Sequence, residues 1–239
     1  MILVIDAGNT RVKWSLHHGG KWRNAGAVPT AKPARLATDW KKIAVPEKIL
    51  VANVAGTPLR RRLESILSRW PVEPVWVESK RRECGVFNGY RNPAQLGADR
   101  WAALIGARAL VAGPCLVVNA GTATTVDILR GDGRFAGGAI LPGLDLMKRT
   151  LARNTAGLPL AEGRFSETPR DTTSAIETGC LLAQAGAIER MFAVLGPGAV
   201  CAISGGSAEP IAKRLRVPAR VVDNLVFEGL VRIAAWPAS

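Results

Sequence analysis

Ile2-Leu3-Val4-Ile5-Asp6-Ala7-Gly8-Asn9-Thr10 is answered half a chain later by Cys115-Leu116-Val117-Val118-Asn119-Ala120-Gly121-Thr122-Ala123-Thr124-Thr125. Each stretch runs an apolar strand into an Asp/Asn-Ala-Gly turn. One such strand and turn is an ordinary hairpin signal. Two copies in equivalent surroundings predict two related halves sharing one phosphate grip. Gly8 and Gly121 supply the physical reason: without a Cβ the backbone can take unusual conformations and approach a ligand closely, so that successive N–H groups converge on an anion. Thr10, Thr122, Thr124 and Thr125 add hydroxyl donors at the rim, and Asp6, closing a buried-looking strand, is placed to hold Mg²⁺ through water.

Outward from these turns, composition narrows the class. With 239 residues, 48% of them hydrophobic and 21% charged, the chain is a globular protein of one large domain or two small ones. No apolar run is long enough to span a bilayer, and the first strand begins within two residues of Met1, which leaves no room for a signal segment. A cytoplasmic location with no membrane contact is expected. Cys84, Cys115, Cys180 and Cys201 lack metal-binding or redox spacing, and Cys115 and Cys201 lie in strongly apolar surroundings, so they read as reduced packing residues. The only histidines, His17 and His18, share one early strand, which excludes a histidine triad and a His-rich metal site. A general base must be a carboxylate, lysine or tyrosine.

The net charge of +13 suits either nucleic-acid binding or steering of anionic substrates. Aromatic residues make up only 5% of the chain and are not interleaved with the arginines as a base-stacking surface requires, which argues against nucleic acid. Arg60, Arg61, Arg62 and Arg69 lie opposite a Leu59, Leu63, Ile66, Leu67, Trp70 stripe and read as the solvated face of an amphipathic helix.

The pattern opens as a meander: strands at Ile2 to Asp6, Val12 to His17 and Trp22 to Val28. Strands then alternate with helices. Thr57-Pro58 predicts an N-cap and first helical position, Val72 to Val77 a strand, and Ala98 to Val111 a helix. The second half repeats the theme with strands at Cys115 to Asn119, Val126 to Leu129, Phe135 to Ile140 and Ala199 to Ser204. Its helices are expected near Leu144 to Ala152, Thr173 to Val194, Ala208 to Leu215 and Val222 to Ala235. This is α/β architecture in two similar lobes, 1–112 and 113–239, divided near Gly113-Pro114, with a nucleotide expected in the cleft between them.

Gly97-Ala98-Asp99-Arg100 opens the helix before the second lobe. An acidic first turn suits the helix dipole, whereas Arg100 opposes it and so implies a partner outside the helix, such as a carboxylate held by the guanidinium fork. Asp99 is then placed to accept a proton from a substrate hydroxyl during phosphoryl transfer. Tyr90, the only tyrosine, lies in the approaching loop and suits either a small organic substrate or half-buried packing. Asp171-Thr172-Thr173 fits helix capping as readily as ligand binding. Gly205-Gly206 fits a turn beneath adenine or ribose, or a plain strand-to-helix turn.

With these residues in view, the chain resembles the type III pantothenate kinases, also called the Bvg accessory factor family, over nearly its whole length. The likeness rests on Asp6 to Thr10, Gly97 to Arg100, Gly121 to Thr125, the Gly137-Gly138-Ala139-Ile140-Leu141-Pro142-Gly143 turn and the segment from Thr172 to Gly179. It implies two ribonuclease H-like lobes of the acetate kinase, hexokinase and actin superfamily, and ATP-dependent phosphorylation of pantothenate on the way to coenzyme A. By the same resemblance Asp6, Ala7, Gly8, Asn9, Thr10, Arg11, Val12, Lys13 and Thr122 hold ATP. Tyr90, Gly97, Ala98, Asp99 and Arg100 hold pantothenate, Asp99 accepts the proton, and Thr172 reaches the substrate from the second subunit of a homodimer.

Family members commonly carry an Asp, binding a monovalent cation (K⁺ or NH₄⁺), where this chain has Asn119. Two alternatives stand beside this reading: a regulatory or nucleic-acid-binding protein on the same fold, and a kinase for another small hydroxy acid. Because an amide keeps a carbonyl oxygen but loses the negative charge, turnover should depend weakly or not at all on K⁺ or NH₄⁺. Initial rates with and without each ion check this, and a full saturable requirement would show that other groups build the site.

Overall fold

β1 (Ile2–Ala7) is flanked on both edges, by antiparallel β2 (Arg11–His18) and parallel β4 (Lys48–Asn53), and Leu3, Val4 and Ile5 are fully buried, which is why the strand reads as an unbroken apolar run. The structure is a computed structural model in which residues 1–160 and 162–237 are described. They form two compact units.

In the first unit β3 (Lys21–Pro29) and β5 (Pro74–Trp76) complete the order β3-β2-β1-β4-β5. In the second, β8 (Cys115–Ala120), β9 (Ala123–Leu129), β10 (Arg134–Pro142), β11 (Val200–Ser204) and β12 (Ala219–Val221) run β12-β11-β8-β9-β10. Rank by rank the two orders are the same. In each, the first strand pairs antiparallel with the second and parallel with the fourth. The duplication inferred from the two turns therefore extends through both sheets.

Helices cover the sheets where apolar faces require it. α1 (Arg35–Asp39) and α2 (Gly56–Leu67) place Leu36, Leu59, Leu63 and Leu67 against Leu3, Ile5, Trp40 and Trp70, so the expected stripe of α2 is the one that packs. The Thr57 cap does not form: α2 starts at Gly56, and Asn53 instead accepts the Ala55 N–H at 3.0 Å and donates to the Gly56 carbonyl at 3.1 Å. A short hairpin, β6 (Arg82–Glu83) and β7 (Val86–Asn88), and a 3-10 turn at Pro93–Gln95 lead into α3 (Ala98–Leu110). In the second unit α4 (Leu144–Asn154), α5 (Thr172–Phe192) and α6 (Ala208–Ala212) enclose a separate core around Leu116, Val118, Val126, Ile188 and Ile203. All four cysteines are free and buried. Burial lifts the Cys115 and Cys201 thiols to about 11 and about 12, consistent with inert packing roles.

The expected division into 1–112 and 113–239 changes at its far end. The first unit contains Met1–Leu110 and the residues from Leu225 on, and the second runs Val111–Asn224. α7 (Leu225–Ala235) is the reason, because it buries Leu225, Val226 and Leu230 against α3, β1 and β4. Lys48 donates to the Ala234 carbonyl at 2.7 Å, and the Trp22 indole donates to Glu228 at 2.9 Å. α3 and α7 meet backbone to backbone: a Cβ on Gly229 would lie 1.8 Å from the Ala102 carbonyl oxygen, and one on Gly106 would lie 2.3 Å from that of Leu225. Because both obstacles are backbone, neither can move aside. Gly229→Ala should lower the unfolding free energy by about 3 kcal/mol or more, read from urea unfolding followed by tryptophan fluorescence.

Candidate active site

The first unit collects most of the expected residues at one end of β1. Asp6 is the last but one residue of that strand, opposite Lys13 on β2 and beside Ala52 on β4. Burial of its carboxylate, with a further push from Asp99, raises its pKa to about 6, and Lys13 opposes the shift. The turn that follows exposes Asn9, Thr10 and Arg11. Ala7 and Val12 are fully buried in the apolar core, so a nucleotide can meet them only through their backbone.

Gly8 departs from expectation. It has no left-handed φ, and a Cβ there would lie 3.3 Å from the Arg11 carbonyl oxygen. Gly121 has no left-handed φ either, and its Cβ would meet the Ala123 carbonyl at an ordinary 3.6 Å. Each glycine N–H instead closes its own turn, Gly8 to Arg11 at 3.1 Å and Gly121 to Ala123 at 3.1 Å. The approach is tight at Gly8 and ordinary at Gly121. Thr30 fastens the first turn from outside it, its hydroxyl donating to the Gly8 carbonyl at 2.7 Å and its N–H to the Thr10 carbonyl at 3.0 Å. No local pattern around Thr30 pointed to this role.

Asp99 lies in the first turn of α3, with Oδ1 accepting the Arg100 N–H at 2.7 Å. Burial raises its pKa, opposed by that N–H and by the Arg100 guanidinium. Gly97 makes the position available, since a Cβ there would stand 2.6 Å from Asp99 Oδ1. Arg100 is 6% exposed, and its Nη1 donates to the Tyr90 hydroxyl at 3.0 Å while the guanidinium stands 5.6 Å from the ring centre. The cation that opposed the helix dipole thus has an aromatic partner outside the helix. Asp6, Lys13, Asp99, Arg100 and Tyr90 form one connected group.

The second turn is built differently. Asn119, half-buried on β8, lies opposite Thr125 and Ser204 in the ladder, and Thr122 is exposed at the tip. Gly143 packs flat beneath that tip: its N–H donates to the Thr122 carbonyl at 3.0 Å, and a Cβ on it would fall 2.1 Å from the Gly121 carbonyl oxygen. Gln184, wholly buried on α5, holds the neighbouring Pro142 carbonyl at 2.7 Å. Gly205, at φ +106°, lies under Ala120, where a Cβ would come within 2.5 Å of the backbone. Gly143 and Gly205 thus let the surrounding backbone pack closely against the turn.

Thr172 is exposed at the start of α5. The cap itself is Asp171, which accepts the Ser174 N–H at 2.9 Å and the Thr173 hydroxyl at 2.6 Å, contacts that hold its carboxyl down to about 2. Thr172 is left to line a largely apolar cavity of about 370 Å³ with Met147, Leu151, Leu158, Ile176 and Cys180.

A duplicated strand order, with an Asp/Asn-Ala-Gly turn closing each leading strand, defines a class: the two-lobe, actin-like fold. At the level of fold, a Campylobacter jejuni protein named for the Baf family of transcriptional activators superposes with a TM-score of 0.66 at 21% identity, covering 97% of this chain and 96% of its own. A Sinorhizobium meliloti protein named as a 2-dehydro-3-deoxygalactonokinase gives 0.65 at 16% identity over the full length of both chains. The sequence profile described as type III pantothenate kinase matches residues 2–194. The type III pantothenate kinase of Aromatoleum aromaticum is 51% identical over 241 residues, spanning 100% of both chains. The chain belongs to the type III pantothenate kinase family.

The electrostatics of Asp6 carry a stability consequence. Its folded pKa lies above its unfolded value of 3.8, so the stabilisation from protonating it is complete below that value and is lost as pH rises through about 6. At neutral pH the ionised group therefore costs the ligand-free fold on the order of 3 kcal/mol. Asp6→Asn should raise the melting temperature at pH 7.5, flatten its decline between about pH 4 and pH 6, and abolish turnover. Differential scanning calorimetry across that range, beside an activity assay, checks both halves.

Proposed function

We propose that Asp99 accepts the proton of the pantothenate hydroxyl and that Asp6 organises the phosphate end of the nucleotide. The chain is an ATP-dependent kinase that converts pantothenate to 4'-phosphopantothenate, the first step of coenzyme A biosynthesis. The observation that carries this division of labour is the pairing of two desolvated carboxylates, in electrostatic reach of one another, at the mouth of α3 and the end of β1.

The hydroxyl oxygen of the acceptor attacks the γ-phosphorus, its proton passes to Asp99, and the bond to the β–γ bridging oxygen breaks as ADP leaves. A carboxylate with a raised pKa is a better matched base than an exposed one, because its proton affinity lies nearer the working pH. Arg100, fixed on Tyr90, presents donors to the pantothenate carboxylate, and Gly97 and Ala98 bring backbone close to the acceptor. The Asp6 to Lys13 turn and Thr122 bind ATP through backbone N–H groups and hydroxyls, with Lys13 adding positive charge near the phosphates.

Among the described residues no group of three or more His, Cys, Asp or Glu gathers to enclose a metal. A desolvated carboxylate such as Asp6 nevertheless fits Mg²⁺, which keeps several waters and takes one or two carboxylates together with phosphate oxygens. The ion, when bound, offsets phosphate charge, and Asp6 is the residue that would hold it. Asn119 occupies the monovalent-cation position with a neutral side chain.

The working form is a homodimer in the cytoplasm, in which Thr172 completes the pantothenate site of the second subunit. The apolar cavity beside Thr172 and the exposed Leu182 farther along α5 support that reading. No helix among the described residues is long and apolar enough to cross a membrane.

Coupled measurement of ADP release with pantothenate present and omitted tests the activity directly: release should require pantothenate. Asp99→Asn should lower kcat by about 10²- to 10⁴-fold and leave the Kd for ATP unchanged. Because the Asp99 pKa is raised, the acidic limb of the kcat/KM profile for pantothenate should fall at a pH above the ordinary carboxylate range. Unchanged turnover in Asp99→Asn would remove it from the mechanism.

A further inference from the structure

Asn88 closes β7 and is 4% exposed, yet it plays no part in the chemistry above. A buried primary amide must satisfy two donors and an acceptor, so its surroundings show what it organises. Its Oδ1 accepts the Tyr90 N–H at 3.0 Å, an Asx turn that fixes the backbone two residues on. Its Nδ2 donates to the Ser79 hydroxyl at 2.8 Å and to the Pro93 carbonyl at 3.3 Å. Ser79 in turn donates to the same Pro93 carbonyl at 2.8 Å. One side chain thus ties the entry of the Tyr90 loop to its exit.

Between these ties the loop runs over the surface. Gly89, Arg91 and Asn92 are exposed, and Leu96 is the first residue after Asn88 to be buried. Tyr90 is half-buried, with its phenol on Arg100 at 3.0 Å. Its ring is therefore located from two ends, through the backbone by Asn88 and through the hydroxyl by Arg100. Displacements near 1 Å at a site of this kind cost large factors in turnover or binding.

We infer that Asn88 is a positioning residue for the acceptor, setting the place of Tyr90 through the Asx turn and the Ser79–Pro93 tie and touching no substrate itself. The inference rests on the reading that Tyr90 faces pantothenate. Asn88 acts only through Tyr90, so its effect must disappear when Tyr90 is absent.

A double-mutant cycle decides this, with KM for pantothenate and KM for ATP measured separately on Asn88→Ala, Tyr90→Ala and the pair. Asn88→Ala should raise KM for pantothenate about tenfold and leave KM for ATP unchanged, and it should add nothing in the Tyr90→Ala background. Ser79→Ala, which weakens the tie to Pro93 without touching the Asx turn, should give a smaller rise with the same non-additivity and serves where Asn88→Ala does not fold. Full additivity on Tyr90→Ala, or a rise in both KM values, overturns the role of Asn88 while the placement of Tyr90 stands. An unchanged KM for pantothenate in Tyr90→Ala itself shows that Tyr90 does not face the acceptor, and both fall together.

Discussion

Asp6, a carboxylate left only 9% exposed at the end of the central strand, is poorly hydrated, and the arrangement of the first unit turns on that constraint. β2 and β4 pair with β1 on either side, and Asp6 stands opposite Lys13 in the antiparallel ladder. Its raised pKa, pushed further by Asp99, records the expense of keeping two acids beside each other in a poorly solvated place. Such an arrangement destabilises the empty protein. In the proposed mechanism a cation such as Mg²⁺ would relieve that cost, and strain of this kind is retained at functional sites.

The same fold is used twice, but the two turns are supported in different ways. Thr30 pins the first through the Gly8 carbonyl, whereas the second rests on the backbone of Gly143 and Gly205. The difference follows from length: Ala7 pairs with Val12 across the first turn and Ala120 with Thr124 across the second, so the second is one residue tighter. Each turn has an internal N–H bond, and the further support comes from outside it, from Thr30 in the first and from close backbone contact in the second. Gln184 extends the support into the middle of α5, the helix whose first residue is Thr172.

Legibility differed by residue. The apolar run of β1 and the stripe of α2 could be read because burial on defined faces leaves a periodic trace. Asp99 and Arg100 could be read because a cation in a first helical turn conflicts with the helix dipole and demands an external partner. Gly8 and Gly121 were legible as turn residues but not in their reason, since neither adopts the backbone region that favours glycine. Thr30, Gln184 and Asn88 left no trace, because each acts on backbone brought close by folding, by way of a hydrogen bond that imposes no periodicity.

By itself the sequence determined the duplicated α/β plan, the identity of the acidic residues and the family, because strand patterning and turn motifs are local and repeat. Tertiary structure alone decided where α7 belongs and how the acids are tuned. α7 could join the first unit only through the near-contact of Gly229 and Gly106 with opposing backbone, a complementarity between segments far apart in the chain. The proton affinities of Asp6 and Asp99 likewise depend on what excludes water from them, and desolvation is a property of the assembled surroundings and not of the residue.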